Sequence, residues 1–476
     1  VPVPTTATPD PDVDLVVVGC GPVGLMAAIR AAQQGLSVVA IDRLTEVYPL
    51  PRAIGMDDEI QRLFATAGML DGLRSCSTPM PGAEFQDRDG RRVVGYDLTP
   101  GLVGPNGHPP VVAFDQPSLE RLMQTQALAV GVVLRLGVEV VGLTGTTVQT
   151  NNGDITGRWI LGADGASSVV RKLLDIALED QGFDESWVVT DTTLLDPQLP
   201  LPRNCIQHCD PARVITFVPG HGTRRRWEFQ LLPGETDDEM STRERITELL
   251  APWGTAAELQ IDRVAVYRFH ATVAERFRVG DVFIAGDAAH QMPPFNGQGM
   301  CAGMRDADNL AWKLAAVAAG QADTRLLDTY DVERRPHARG QVEHAADAGR
   351  LINAIAHGGE AALESGYGGG RSFPHLEAGC VTGDHPRVGY PFPQPVVDGT
   401  GFDHTLGDGW ASVTTAESRT DLPAGLRRVD ADPAQFPGLV ESGVTVLVRP
   451  DRYVAAVTNH TTDALHALGA AGMHFG

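Results

Sequence analysis

The stretch DLVVVGCGPVGLMAAIRAAQQGLSVVAID, residues 14–42, decides the fold class. Asp14 to Gly19 is a β-branched run, the pattern of a strand buried on both faces of a parallel sheet. Pro22 to Gln34 predicts a helix, with proline in its first turn and Gly35 at its end. Ser37 to Asp42 is a second strand. Between the first strand and the helix stands Gly19-Cys20-Gly21-Pro22-Val23-Gly24. Gly19 permits a tight turn, Gly21 lets a pyrophosphate approach the backbone, and Gly24 lets the helix lie close on the strand. The free N–H groups and dipole at the helix start favour phosphate. Asp42, ending the second strand, is placed to accept a hydrogen bond from a ribose hydroxyl. An ordinary glycine-rich turn is the bland alternative; strand, helix and acid together favour a dinucleotide site in an α/β, Rossmann-like domain.

Moving outward, the pattern changes character twice. Pro81 to Val112 is turn-rich with short alternating runs, Asp115 to Ala129 is helical, and Val132 to Leu143 and Trp159 to Gly162 are strand-like. From Thr190 to His270 the runs RVITFV, RRRWEFQLL and RVAVYRF predict an antiparallel sheet, hence a second domain inserted in the first. Val282 to Ala285 returns to a buried strand, and Asn296 to Ala319 predicts a long amphipathic helix. A glycine-rich connector follows Gly358, and then VTVLVRP, YVAAVT and a final helix near Asp463 form a small C-terminal α/β unit.

The formal charge of -22 argues against nucleic acid and against an anionic membrane surface, because both need clustered Lys and Arg. No run is long and apolar enough to span a bilayer, and Val13 to Ile29 lacks the basic flank of a signal peptide. The six cysteines are too sparse for a disulfide framework in 476 residues, and none has a zinc-like spacing; free thiols, no metal and a cytoplasmic location are expected. Residues 1–12, VPVPTTATPDPD, read as a disordered leader.

Two further strand ends carry motifs. In RVGDVFIAGDAAHQMPPFNGQG, residues 278–299, a strand delivers Gly286-Asp287, and Pro293-Pro294-Phe295-Asn296-Gly297-Gln298-Gly299-Met300 opens the long helix. Asp287 is placed to accept from a ribityl hydroxyl; the glycines allow a flat ring to approach, and the helix dipole would stabilise negative charge on a reduced flavin. The third motif is Gly162-Ala163-Asp164-Gly165, where Asp164 reads equally well as a helix cap.

These three elements, in this order, resemble the GxGxxG, DG and GD fingerprints of the class A flavoprotein aromatic hydroxylases. YPLPRAIGMDDE from Tyr48, FDQPSLERL from Phe114, RRRWEFQLLPGE from Arg224, GMRDADNLAWKL from Gly303 and LLDTYDVERRPHA from Leu326 are similar to the branch containing 3-(3-hydroxyphenyl)propionate hydroxylase. The likeness covers about residues 13–350. It implies an FAD-binding domain at 13–80, 113–180 and 271–357, and a substrate-binding domain at 81–112 and 181–270. The tail, 380–476, resembles the thioredoxin-like C-terminal domain of part of this family, without Cys-x-x-Cys. By this resemblance Gly19, Gly21, Pro22, Gly24 and Asp42 would hold the ADP half of FAD, and Arg43 would flank it. Arg52 and Gln116 would lie near the pyrophosphate and ribityl, and Asp164 would contact FAD and help admit the nicotinamide. Gly286 and Asp287 would bind ribityl and pyrophosphate, and Pro294, Gly297, Gly299 and Met300 would meet the flavin ring. The family usually has Glu where this chain has Asp42.

The resemblance further implies hydroxylation of a phenolic ring with O2 and transiently bound NADH or NADPH, through a flavin C4a-hydroperoxide. On RRRWEFQLL, Arg225, Trp227 and Phe229 share one face and Arg226, Glu228 and Gln230 the other. Arg225, Trp227, Phe229 and Pro293 are the expected substrate contacts, with an ordinary core pair as the alternative for Trp227 and Phe229. Tyr267 and His270 are the candidates to assist phenol deprotonation. A small aromatic molecule is the expected partner, with homodimerisation open. Rival readings are Baeyer–Villiger or epoxidation chemistry on the same fold, an NAD-dependent dehydrogenase, and a non-catalytic flavin binder.

Overall fold

The computed structural model describes residues 12–358, 374–397, 400–417, 422–423 and 425–475. Nearly all of the expected leader and most of the glycine-rich connector lie outside the described residues.

The β-branched strand Val13–Val18 sits at the centre of a parallel sheet. It pairs with Val38–Asp42 on one side and Ile155–Gly162 on the other; Val282–Ile284 extends the sheet beyond the latter and Val133–Leu136 beyond the former. Parallel strands of this kind are covered on both faces, which is why Leu15, Val16, Val17, Ile160 and Leu161 are all buried. One consequence fixes the site: the carboxyl ends of Val13–Val18, Ile155–Gly162 and Val282–Ile284 lie side by side. The turns at Gly19, Asp164 and Asp287, scattered over the sequence, therefore meet at one sheet edge.

Helix Pro22–Gln33 follows the first turn and packs against helix Gly299–Ala318, with Arg30 paired to Asp308 at 2.8 Å. Close packing here depends on glycine: a Cβ on Gly303 would lie 2.5 Å from Val23 Cγ2 and 2.8 Å from Gly286 Cα. The helix expected from Asn296 begins later, because Gly297 takes a left-handed φ of 61° and leaves Pro294–Asn296 as a separate short 3-10 turn.

The second sheet has eight strands, mostly antiparallel. Its order is His290–Gln291, Leu259–Ala274, Leu178–Leu194, Arg224–Gln230, Arg213–Pro219, Cys205–Asp210, Gly82–Gln86 and Arg92–Asp97. One face packs on helices Asp237–Met240 and Arg243–Leu250 through Val188, Phe217, Trp227, Phe229, Met240, Ile246 and Leu250. The other looks toward the parallel sheet. Phe295 bridges the two, its ring 5.4 Å from Trp187 and 6.2 Å from Phe269.

The C-terminal unit has its own core, including Phe392, Leu406, Val413, Phe436 and Val446. Its sheet runs Arg427–Asp430, Ala411–Thr414, Thr445–Val448, Val454–Thr458, the first pair parallel and the others antiparallel, followed by helix Thr461–Ala470. A buried charge cluster ties it to the rest: Arg449 donates to Glu333 at 2.9 Å and pairs with Asp451, while Lys313 donates to Glu333 at 2.7 Å. Burial lowers the Lys313 ammonium to about 8; burial alone would raise Glu333, but Arg449 and Lys313 hold it at about 2. The six cysteines are all free thiols, and among the described residues no helix is long and apolar enough to cross a membrane.

Candidate functional site

A single cavity of about 550 Å³ opens between the carboxyl edge of the parallel sheet and the inner face of the antiparallel sheet. Gly19, Gly21, Pro22, Asp42, Arg43, Arg52, Gln116, Asp164, Asp287, Pro294, Gly297, Gly299 and Met300 all line it. The far wall is Phe85, Tyr96, Gln207, Thr216, Arg226, Glu228, Tyr267 and Phe269.

Each glycine of the first turn has a separate physical reason. Gly19 has φ 107°, and a Cβ there would lie 2.3 Å from the Ala163 carbonyl oxygen, so it joins the first motif to the third. A Cβ on Gly21 would meet nothing within 4 Å; it faces the open cavity. A Cβ on Gly24 would sit 1.9 Å from the Gly19 carbonyl oxygen, so Gly24 works by packing and stays outside the lining. Gly286 likewise lies behind the wall, with φ 60°, its N–H donating to Asp306 at 3.2 Å.

Acids around the rim are held by backbone. Asp42 accepts from the N–H groups of Cys20 at 2.7 Å and Leu44 at 2.8 Å, locking the glycine turn to the second strand. Asp164 accepts from Ser168 Oγ and from the N–H groups of Val169 (2.7 Å) and Val170 (3.1 Å), so the capping role and the cavity position coexist. Asp287 is exposed on the cavity surface, and the protein packed around that recess raises its carboxyl above the ordinary range by desolvation. Behind it, Asp306 anchors the turn, 2.7 Å from His290 Nε2 and 2.8 Å from Arg334 Nε.

The segment carrying Arg52 is clamped from two sides. Gln116 Oε1 accepts from the N–H groups of Arg52 and Ala53, both at 2.7 Å. From the sheet, Arg226 donates to the carbonyls of Arg52 (2.7 Å) and Pro51 (2.8 Å), and Arg263 donates to Pro51 at 2.6 Å. Asp191 neutralises both arginines, 2.7 Å from Arg226 Nε and 3.2 Å from Arg263 Nη1.

The residues present fit a dinucleotide that ends in a flat ring. Helices Pro22–Gln33 and Gly299–Ala318 both begin without a side-chain cap, so their first N–H groups are left for a ligand. Arg43 and Arg52 supply positive charge where a pyrophosphate would lie, and the Gln298 side-chain NH2 is buried beside the second helix start with no hydrogen-bond partner among the described residues.

The family described as "FAD binding domain" matches residues 12–345. The chain belongs to this FAD-binding family. Its relatives include hydroxylases of phenolic compounds. It is 34% identical over 359 residues to a Comamonas testosteroni 3-(3-hydroxy-phenyl)propionate/3-hydroxycinnamic acid hydroxylase, covering 73% of this chain and 60% of that relative. It is 34% identical over 431 residues to a probable NADH-specific resorcinol 4-hydroxylase of Rhodococcus jostii, covering 84% of this chain and 79% of the relative. The chain thus spans only about three-fifths of the length of the first of these relatives. In structure it is similar to aklavinone-11 hydroxylase, solved with FAD and aklavinone, at a TM-score of 0.80 and 24% identity, covering 98% and 99% of the two chains.

For the FAD-family chain, the sheet wall corrects four sequence expectations. Trp227 and Phe229 do not reach the cavity; they are fully buried on the opposite face, Trp227 packed 5.1 Å from Phe217. Arg225 turns the same way, its Nη1 donating to the carbonyls of Gly222 and Arg224. The reason is the two-residue period of a strand: with the helices of residues 237–250 covering the odd positions, the even positions Arg226 and Glu228 meet the cavity. By the same period Tyr267 lines the cavity while His270 points away, half-exposed beside Asp184 with Nδ1 3.5 Å from its carboxylate. Pro293 lies outside the lining, one residue short of Pro294.

The residue the sequence underweighted is Glu228. It is 5% exposed, and burial pushes its carboxyl up to about 7 against the pull of Arg226. The signal was available: an acid between Trp and Phe on a strand followed by amphipathic helices must face whatever lies opposite those helices.

Proposed function

We propose that the chain binds FAD in this cavity and, with NAD(P)H and O2, hydroxylates a phenolic ring held against the antiparallel sheet. The observation that carries the reading is continuity. One cavity contains both the two uncapped helix starts and a wall of Phe85, Tyr96, Tyr267 and Phe269. Bound FAD supplies the redox chemistry, accepting a hydride from NAD(P)H and activating O2.

The chain's own part is binding, orientation and exclusion of water. Gly21 and Val23, at the uncapped start of the first helix, would bring backbone N–H groups to the pyrophosphate, with Gly19 and Pro22 shaping the turn beneath it, while Arg43 and Arg52 would offset its charge. Asp42 would meet the ribose with whatever capacity remains beyond Cys20 and Leu44, and the cavity-lining Asp287, Asp164 and Gln116 would hold the ribityl and the nicotinamide entrance. The first N–H groups of Gly299–Ala318 open on the cavity and would stabilise negative charge developing on a bound ring. The aromatic wall stacks or edges against the substrate ring and keeps solvent from the reacting atoms. Tyr267 reaches that wall and is placed to hydrogen-bond a ring substituent.

In this reading the FAD-binding part comprises 13–80, 113–180 and 271–357, and the substrate part 81–112 and 181–270. The C-terminal unit fits a thioredoxin-like fold. Its strand order, second-first-third-fourth with only the first pair parallel, supports that assignment. Without Cys-x-x-Cys its role is structural.

The test is flavin content followed by a phenol panel. Yellow protein that oxidises NADH or NADPH faster with a phenol present, and that places labelled oxygen from O2 on the ring, is the expected result. The panel should include resorcinol and 3-(3-hydroxyphenyl)propionate, the rings named in two relatives. Colourless protein, or oxidation indifferent to every phenol, overturns the reading.

A further inference from the structure

Glu228 has the surroundings of a group waiting for a partner. It sits mid-strand on Arg224–Gln230, its side chain on the cavity wall, 5% exposed. Among the described residues nothing hydrogen-bonds its carboxylate. Its cross-strand neighbour Thr216 donates elsewhere, to Gln207 Oε1 at 2.6 Å. Arg226 approaches only to 3.9 Å, its guanidinium already engaged by Asp191 and by the Pro51 and Arg52 carbonyls. The other ionisable groups on this face are Asp191 and Arg263, which satisfy one another, and the cavity-lining Tyr96, Tyr267 and Cys205. A buried carboxylate without hydrogen bonds carries a large desolvation cost, and a fold retains one where a ligand completes it.

We propose that Glu228 is a catalytic residue that takes the phenolic proton of the substrate during ring hydroxylation. This rests on the phenol-hydroxylase reading of the same cavity. In the step, the substrate O–H bond breaks and its electron pair stays on oxygen, from which it feeds the ring. The new O–H bond forms on a Glu228 carboxylate oxygen. The ring, made more nucleophilic, forms its C–O bond to one atom of O2 as the O–O bond breaks. The ring carbon then releases its hydrogen to solvent as a proton, the new ring oxygen takes one proton up from solvent, and Glu228 returns its own proton to the phenolic oxygen. The second oxygen atom leaves as water, NAD(P)H and one proton supplying its hydride and proton. Burial gives Glu228 the basicity this needs, since it titrates at about 7, close to working pH.

Glu228→Gln keeps the shape and cannot accept the proton. In FAD-loaded enzyme we expect phenol dissociation constants within a few-fold of the wild type but coupled hydroxylation slower by roughly 100-fold, with reducing equivalents diverted to H2O2. Wild-type hydroxylation of an un-ionised phenol should rise with pH through about 7, and that limb should vanish in the variant. A phenol already ionised at assay pH should shrink the variant's deficit to under about tenfold, because no proton remains to be moved. Glu228→Asp, which keeps the base, should recover part of the rate. A Glu228→Gln enzyme with wild-type coupling and pH profile overturns the proposal. If that variant does not load FAD, a wild-type hydroxylation rate flat across pH 7 overturns it instead. Wild-type protein that no phenol stimulates overturns the phenol-hydroxylase reading itself, and this proposal with it.

Discussion

Replacing Asp306 by Asn tests whether the turn carrying Asp287 is held by a buried charge. Asp306 is wholly buried, accepts from the Gly286 N–H at 3.2 Å, and faces His290 Nε2 at 2.7 Å and Arg334 Nε at 2.8 Å. Burial alone would raise its carboxyl; His290 and Arg334 override this and hold it below the usual range. Asparagine keeps the shape and one acceptor oxygen, so the substitution removes charge with little change in packing. Arg334, 1% exposed, has no other ion pair among the described residues, and its remaining contact is the Ala302 carbonyl at 3.4 Å. Removing one partner of a buried pair costs about 3–5 kcal/mol. The FAD-family region spans residues 12–345. At roughly 2.1 cal/mol/K of unfolding entropy per residue, that cost lowers Tm by about 4–7 °C. Gly286 and Asp287 then lose their anchor, and FAD should bind at least about tenfold more weakly, the loss of one ~1.4 kcal/mol contact. Melting followed by circular dichroism and a flavin fluorescence titration measure the two quantities. A variant melting within about 1 °C of wild type, with unchanged FAD affinity, would refute the idea that this pair supports the site.

Gly24→Ala should yield colourless protein, since its Cβ meets the Gly19 carbonyl oxygen at 1.9 Å and the turn must move; flavin absorbance after purification checks it. Phe229→Leu should lower Tm and leave substrate KM unchanged, whereas Phe269→Leu should change KM, because only Phe269 lines the cavity. Glu228 titrates at 4.5 ordinarily and about 7 in the fold, so between these values the folded state keeps a proton that the unfolded chain releases, and stability falls as pH rises. Glu228→Gln should therefore melt with the wild type near pH 4.5 and above it near pH 8, as scanning calorimetry at the two pH values would show. Arg449→Met leaves Glu333 and Asp451 without their shared cation and should cost about 3–5 kcal/mol, with limited proteolysis releasing the C-terminal unit.

What could be read from the sequence was local. Each glycine of Gly19-Cys20-Gly21-Pro22-Val23-Gly24 is required by atoms a few residues away or by open space, so its type and spacing carry the meaning. The convergence of Gly19, Asp164 and Asp287 was legible for a related reason: each follows a short apolar strand-like run, and parallel strands place their carboxyl ends on one edge. The delayed start of helix Gly299–Ala318 was not, because apolar periodicity does not register a single left-handed residue at Gly297.

The wrong choice of face on RRRWEFQLL has a deeper origin. A strand in a half-exposed sheet announces its inner face by being apolar, and Trp227 and Phe229 obey that rule against the helices of residues 237–250. This strand is buried on both faces, and the second face is buried by a cavity rather than by side chains. There the rule inverts: the polar positions Arg226 and Glu228 are the ones turned toward the site. The partners of Arg226, namely Pro51, Arg52 and Asp191, are 35 to 175 residues away in the chain, so no window of sequence displays the arrangement. An acid placed between two large aromatics is costly wherever a core could have taken a third apolar residue. That cost makes Glu228, rather than the more conspicuous Trp227, the position at which this strand meets chemistry.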